Sequence, residues 1–134
     1  MSATHDIPFE EREKILEEVK RLLFEKKEIL LATVYGGFIQ SKVFRDIDIG
    51  IYTGYKVSWR DSWLYADDLN DEIEKLTGIR GDVRFIEYAP VKFKIIMLKG
   101  RLLFEKEWGL RAILYASYLE DYMDIESSFN SIAD

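Results

Sequence analysis

The strongest chemical signal in the 134-residue chain is a pair of aspartates in the segment Asp46 to Tyr52, DIDIGIY. Ile47, Ile49 and Ile51 alternate with Asp46, Asp48 and Gly50, which is the period of a strand that buries one face. Both carboxylates then project to the same side, where they repel and shift each other's pKa unless a cation compensates. A hard divalent ion, Mg²⁺, suits such a pair. Charge decorating an exposed sheet face is the plainer alternative. A third carboxylate, Asp82, follows Gly81 at the head of a later β-prone run, and a neighbouring strand could bring it beside the pair. Three carboxylates around two metal ions would suit in-line phosphoryl transfer, one ion activating a hydroxyl and the other steadying a triphosphate. Gly36 and Gly37 close an earlier apolar run. Glycines there let main-chain N–H groups approach an anion, although they also serve an ordinary turn.

Composition removes most other chemistries. The chain has no cysteine, so disulfides, thiolate metal sites and cysteine nucleophiles are excluded. Its one histidine, His5, lies in the first residues, a poor position for a rigid general base. A net charge of −6 argues against a protein that grips a nucleic-acid backbone. Residues 1–134 read as a single domain, with enough apolar residues for a real core. The N-terminal MSATHDIPFEER lacks the apolar run of a signal peptide, and no stretch approaches a membrane span, so a cytoplasmic location is expected.

The elements that must position these residues follow from periodicity. Asp6 and Pro8 announce a helix to about Glu25, with Ile15, Leu16, Val19, Leu22 and Leu23 at helical spacing. Ile29 to Tyr35 reads as a buried strand, Asp46 to Tyr52 as a second, and Asp82 to Glu87 as a third. Between the last two, Ala66, Leu69, Ile73 and Leu76 mark a helix from Ser62 to Thr77 that Gly78 ends. Val91 to Leu98 fits a strand by alternation and a short helix by its Pro90 and Gly100 boundaries. Arg101 to Phe104 reads as a short strand, and Trp108 to about Ser128 as a long amphipathic helix.

Strand, Gly-Gly, short connection, R-D-I-D-I-G-I-Y, helix and a strand led by Asp82 together resemble the minimal nucleotidyltransferases (MNT) of the DNA polymerase β-like superfamily. The likeness spans about Ile29 to Phe104. It implies an α/β (α+β) fold, a nucleotidyltransferase-like mixed sheet of about four strands flanked by helices with a long C-terminal helix, and it favours a helix for Val91 to Leu98. It also implies that Asp46, Asp48 and Asp82 are the catalytic metal carboxylates and that Gly36 and Gly37 stand at the Gly-Ser motif that holds the triphosphate. Gly37 departs from that motif, as does Gln40-Ser41, where an Arg or Lys followed by Gly is common. A missing hydroxyl contact to phosphate costs on the order of 1.5–3 kcal/mol. Lys42 and Arg45, in the connection FIQSKVFR, could supply charge to the nucleotide or be solvated loop residues.

The resemblance thus implies a Mg²⁺-dependent enzyme that moves a nucleotidyl group, AMP from ATP, to a hydroxyl. The acceptor would be a tyrosine of a helical HEPN partner in a toxin–antitoxin pair. A degenerate transferase fold that only binds nucleotide or protein is the alternative, and a structural subunit with surface aspartates is a third. A homo-oligomer is compatible with either of the first two. Among the aromatic residues, Tyr52, Tyr55 and Trp59 could line a pocket, and YASYLEDYMD near the C-terminus reads as a solvated or partner-facing surface.

Overall fold

The computed structural model describes residues 3–133, with side chains described to residue 130. Its elements run α1 (Phe9–Phe24), β1 (Leu31–Tyr35), α2 (Gly37–Gln40), β2 (Ile47–Tyr52), α3 (Trp59–Thr77), β3 (Gly81–Phe85), a 3-10 turn (Ile86–Tyr88), α4 (Val91–Leu98), β4 (Arg101–Glu105) and α5 (Leu110–Ala133). The four strands form one mixed sheet in the order β3-β2-β1-β4. β1 pairs antiparallel with both β2 and β4, whereas β2 and β3 are parallel and are joined by the long α3 crossover.

Alternation along β2 divides the molecule into two cores. Ile47, Ile49 and Ile51 pack with Leu16, Val19 and Leu23 of α1 and with Leu69 and Ile73 of α3. On the opposite face Leu31 and Tyr35 of β1 meet Ile95, Met97 and Leu98 of α4 and Leu110, Leu114 and Tyr118 of α5. Each face is covered because each strand residue must leave water on whichever side it points. The close approach of α4 to the sheet requires Gly50, where a Cβ would meet Met97 Sδ and Thr33 Oγ1 at 3.1 Å each. Thr33, buried at that crossing, donates its hydroxyl to the Met97 carbonyl at 2.8 Å.

Several boundaries differ from the periodicity reading. β2 begins at Ile47, so Asp46 lies in the bend before the strand. α3 begins at Trp59 because Ser58 caps it, accepting the Asp61 N–H at 3.2 Å. The segment Asp82 to Glu87 splits into a strand and a 3-10 turn. Val91 to Leu98 is a helix that starts directly after Pro90; its alternating polarity gives way to packing against α5. The connection after Gly36 contains α2, a single turn too short to carry a periodic signal. YASYLEDYMD is not merely solvated: Tyr118 is buried in the second core, and Tyr115 and Tyr122 pack against it. No helix among the described residues is long and apolar enough to cross a membrane.

Candidate active site

Parallel pairing of β2 with β3 sets Asp48 directly against Asp82. Residues paired across adjacent strands share a sheet face, so both carboxylates project toward the α4 side. Burial first, then the charges of Asp82 and Asp46, push the Asp48 carboxyl up to about 6, against a smaller opposing effect of Arg84. Asp46, outside the strand, joins the pair electrostatically from the bend below it.

The turn after β1 closes over this pair. Tyr35 pairs with Asp48 across β1 and β2, and the next residue, Gly36, adopts φ +75 and ψ −151. A Cβ at Gly36 would lie 2.5 Å from Asp48 Oδ2, so backbone conformation and contact both demand glycine. Gly36 caps α2, its carbonyl accepting from Ile39 and Gln40 at 3.3 and 3.2 Å. The N–H groups of Gly37 and Phe38, in the first turn, have no acceptor within that helix. Gly37 has ordinary backbone geometry, and a Cβ there would meet its nearest neighbour, Phe44 Cβ, at 3.5 Å. Lys42 and Arg45 are exposed on the connection that leads from α2 back to Asp46.

Three residues of this region escaped the sequence reading. Arg84 lies 3.4 Å from Asp82 Oδ2, and the Asp82 charge is the main reason its guanidinium is held more firmly protonated than usual. Its period-2 spacing from Asp82 was the available signal. Tyr35, adjacent to Gly36, is buried with its ring edge-on to Phe93 at 5.7 Å, and burial together with Asp48 raises its hydroxyl pKa. Arg12 had no local signal at all. This α1 residue is 2% exposed and donates to the carbonyls of Phe38, Ser41 and Lys42 at 2.7, 2.6 and 2.7 Å and to that of Ile7 at 2.7 Å. Its guanidinium stacks 4.1 Å from the Phe9 ring centre and 4.6 Å from that of Phe44. The connection following the glycine turn is therefore pinned from within by a cation that satisfies its carbonyls. His5 adds a main-chain bridge to Phe44, donating its N–H at 2.8 Å, and its ring stacks on that of Phe44.

The donor set at Asp48 and Asp82 is hard, anionic and crowded by like charge, which fits Mg²⁺. Among the described residues no group of three acidic side chains already stands close enough to enclose an ion. Mg²⁺ is commonly held by one or two carboxylates with substrate phosphates and water completing its shell, and this geometry matches that case.

A cleft of about 550 Å³ opens beside Asp82, between α3 and the start of α4 along the outer edge of β3. Its walls include Trp59, Trp63, Tyr88 and Phe93. Trp59 is thus brought to a cleft beside the carboxylates, while Tyr52 packs against the second core and Tyr55 stands exposed in the turn after β2.

Residues 17–108 match the family model for polymerase beta nucleotidyltransferases. Among curated proteins, none matches the chain significantly by sequence. Its fold is shared with a chain of a tri-AMPylated Shewanella oneidensis HEPN toxin in complex with MNT antitoxin, at a TM-score of 0.70 and 13% identity over 92% of this chain and 96% of that one. A toxin–antitoxin structure with AMP-PNP gives a TM-score of 0.68 at 14% identity, covering 91% of this chain and 95% of that chain. The toxin–antitoxin MntA-HepT gives 0.66 at 12% identity, with 93% and 96% covered. With the family model spanning most of the chain and the carboxylates and glycine turn gathered at one end of three adjacent strands, this protein belongs to the polymerase beta nucleotidyltransferase family.

Proposed function

We propose that this chain is a Mg²⁺-dependent nucleotidyltransferase that moves AMP from ATP to a hydroxyl of a protein partner, a tyrosine of a HEPN-type toxin. The observation that carries the proposal is the register of Asp48 against Asp82 beneath Gly36, which joins a carboxylate pair to a turn that only glycine can make. The similar folds of MNT antitoxins, one complexed with a tri-AMPylated toxin and one with AMP-PNP, support the choice of nucleotide and acceptor.

In this reading Asp46, Asp48 and Asp82 would hold the metal. When bound there, such an ion would supply positive charge to the phosphates of the nucleotide. Gly36 and Gly37 present main chain to the triphosphate, and Lys42 and Arg45 bring side-chain charge from the connection that Arg12 pins. The acceptor oxygen attacks the α-phosphorus while its proton passes to a carboxylate of the pair. The bond from the α-phosphorus to the bridging oxygen breaks, and pyrophosphate leaves with the electron pair. Burial first, and then the charges of Asp82 and Asp46, push the Asp48 carboxyl up to about 6, a cost that a bound cation would offset, which supports the reading.

The test is co-expression with its candidate toxin partner followed by intact-mass measurement of both chains. The expected result is a partner heavier by whole adenylyl groups, and no such addition with the Asp48→Asn chain. A second reading, a module that binds nucleotide without transferring it, is favoured by the missing hydroxyl at Gly37. It predicts Mg²⁺-dependent ATP binding and an unmodified partner.

A further inference from the structure

We propose that the free C-terminal half of α5 is the docking arm for the helical partner. Its apolar stripe of Tyr122, Ile125 and Phe129 packs into a groove between helices of that partner, and the rims of the groove carry lysine and arginine. This rests on the reading of a HEPN-type partner and names the surface by which that partner is held.

The stripe continues the core. Leu114 and Tyr118 of α5 are buried in the second core, against β1 and α4, and Tyr122 packs on it. At about 100° per residue, Tyr118, Tyr122, Ile125 and Phe129 fall within a sector of about 60°, the pattern of a helix that buries one face. From Met123 to Asn130, however, every side chain is exposed, Ile125 at 54% and Phe129 at 73%. The helix nevertheless runs on to Ala133. Two turns whose side chains all face water draw nothing from packing, the main source of helical stability in proteins. A stripe of this kind, in line with a buried one and left bare, marks a surface that a second molecule covers.

Charge selects the occupant. Glu120, Asp121, Asp124 and Glu126 lie on this half of α5, and beyond Arg111 the chain has no lysine, arginine or histidine, so residues 112–134 hold most of its net charge of −6. Among the described residues none of these four carboxylates is in an ion pair. By the same angular count Asp121 edges the stripe on one side and Glu126 on the other, where it accepts the Tyr122 hydroxyl at 3.0 Å. Lys94 of α4 meets the stripe at its root, its ammonium 4.5 Å from the Tyr118 ring centre. Two such stripes packed on each other would set acid against acid along both seams, which disfavours a second copy of this chain. A lipid surface is disfavoured too, since helices that lie on anionic membranes carry lysine and arginine on their polar face. A helical partner with basic rims satisfies both the apolar centre and the acidic edges.

The test uses the full-length chain and the purified, unmodified HEPN-type toxin, with affinity read by biolayer interferometry. Ile125→Ala and Phe129→Ala alter exposed side chains outside both cores, so the melting temperature should not move. Each is expected to weaken toxin binding about tenfold. Asp121→Lys combined with Glu126→Lys should weaken it at least as much, with a loss that shrinks as salt rises. In sedimentation the chain alone should be a monomer, and affinity for α,β-methylene-ATP with Mg²⁺ should be the same in every variant. Toxin binding that ignores the α5 substitutions, or no toxin binding by the wild type, would overturn the docking arm. A dimer of the chain alone that Phe129→Ala dissolves would overturn it as well and make a second copy the occupant. A wild type that holds the toxin through α5 yet binds no nucleotide would leave the docking arm standing and overturn the nucleotidyltransferase reading instead.

Discussion

Gly36 and Gly37 are adjacent, yet they answer to different physics. At Gly36 a side chain meets the strain of φ +75 with ψ −151, a region essentially reserved for glycine, about 1–3 kcal/mol for an L-residue, and also Asp48 Oδ2 at 2.5 Å. Gly36→Ala is therefore expected to lower the melting temperature and to abolish Mg²⁺-dependent nucleotide binding, measured by thermal shift with and without ATP. Gly37 has neither constraint, so Gly37→Ser should fold normally. By adding a hydroxyl beside the first-turn N–H groups it should tighten ATP by on the order of 0.5–1.5 kcal/mol in a calorimetric titration. Asp48 supplies a third prediction. Between its ordinary value of 3.8 and about 6, the folded chain binds the Asp48 proton more tightly than the unfolded chain does. Stability attributable to this group therefore falls as pH rises through that window, and the full cost is present above it. In EDTA, Asp48→Asn should be more stable than wild type by on the order of 1–3 kcal/mol near pH 7 and about equal near pH 3.5, as read by urea melts.

At the scale of elements, the connection from Gly36 to Asp46 is held by α1 through Arg12. Arg12→Ala would leave the carbonyls of Phe38, Ser41 and Lys42 without their buried donor, and is expected to cost about 2–4 kcal/mol. Hydrogen exchange should show amides 38–45 opening before the sheet does. This support was invisible in the sequence, because an arginine on a Glu- and Lys-rich helix looks solvated and its partners in the connection lie 26 to 30 residues away. What strand period could report was legible: DIDIGIY fixed which side of β2 carries Asp48, and Asp82 at the head of β3 fell into register with it. Period could not show that β2 starts one residue late, leaving Asp46 in a bend, since the register there is set by Ile47 pairing with Gly81. Nor could it decide Val91 to Leu98, whose helix is imposed by Pro90 and by packing against α5.

Across the whole molecule, the two-sided core explains why the site is rigid at one edge and open at the other. β2 is central, clamped by the isoleucines against α1 and α3 and crossed at Gly50 by α4, while β3 is an edge strand with the cleft outside it. Asp48 thus sits on a fixed frame, and Asp82 sits on the edge strand, lining the cleft. The central claim is that the Asp48 and Asp82 carboxylates, under the glycine turn, hold a nucleoside triphosphate through Mg²⁺. Isothermal titration of wild type, Asp48→Asn and Asp82→Asn with α,β-methylene-ATP, each in Mg²⁺ and in EDTA, tests it most directly. Binding by the wild type in Mg²⁺ alone, lost or weakened at least tenfold in both variants, is the predicted result. Equal affinity in EDTA, or in either variant, would contradict it.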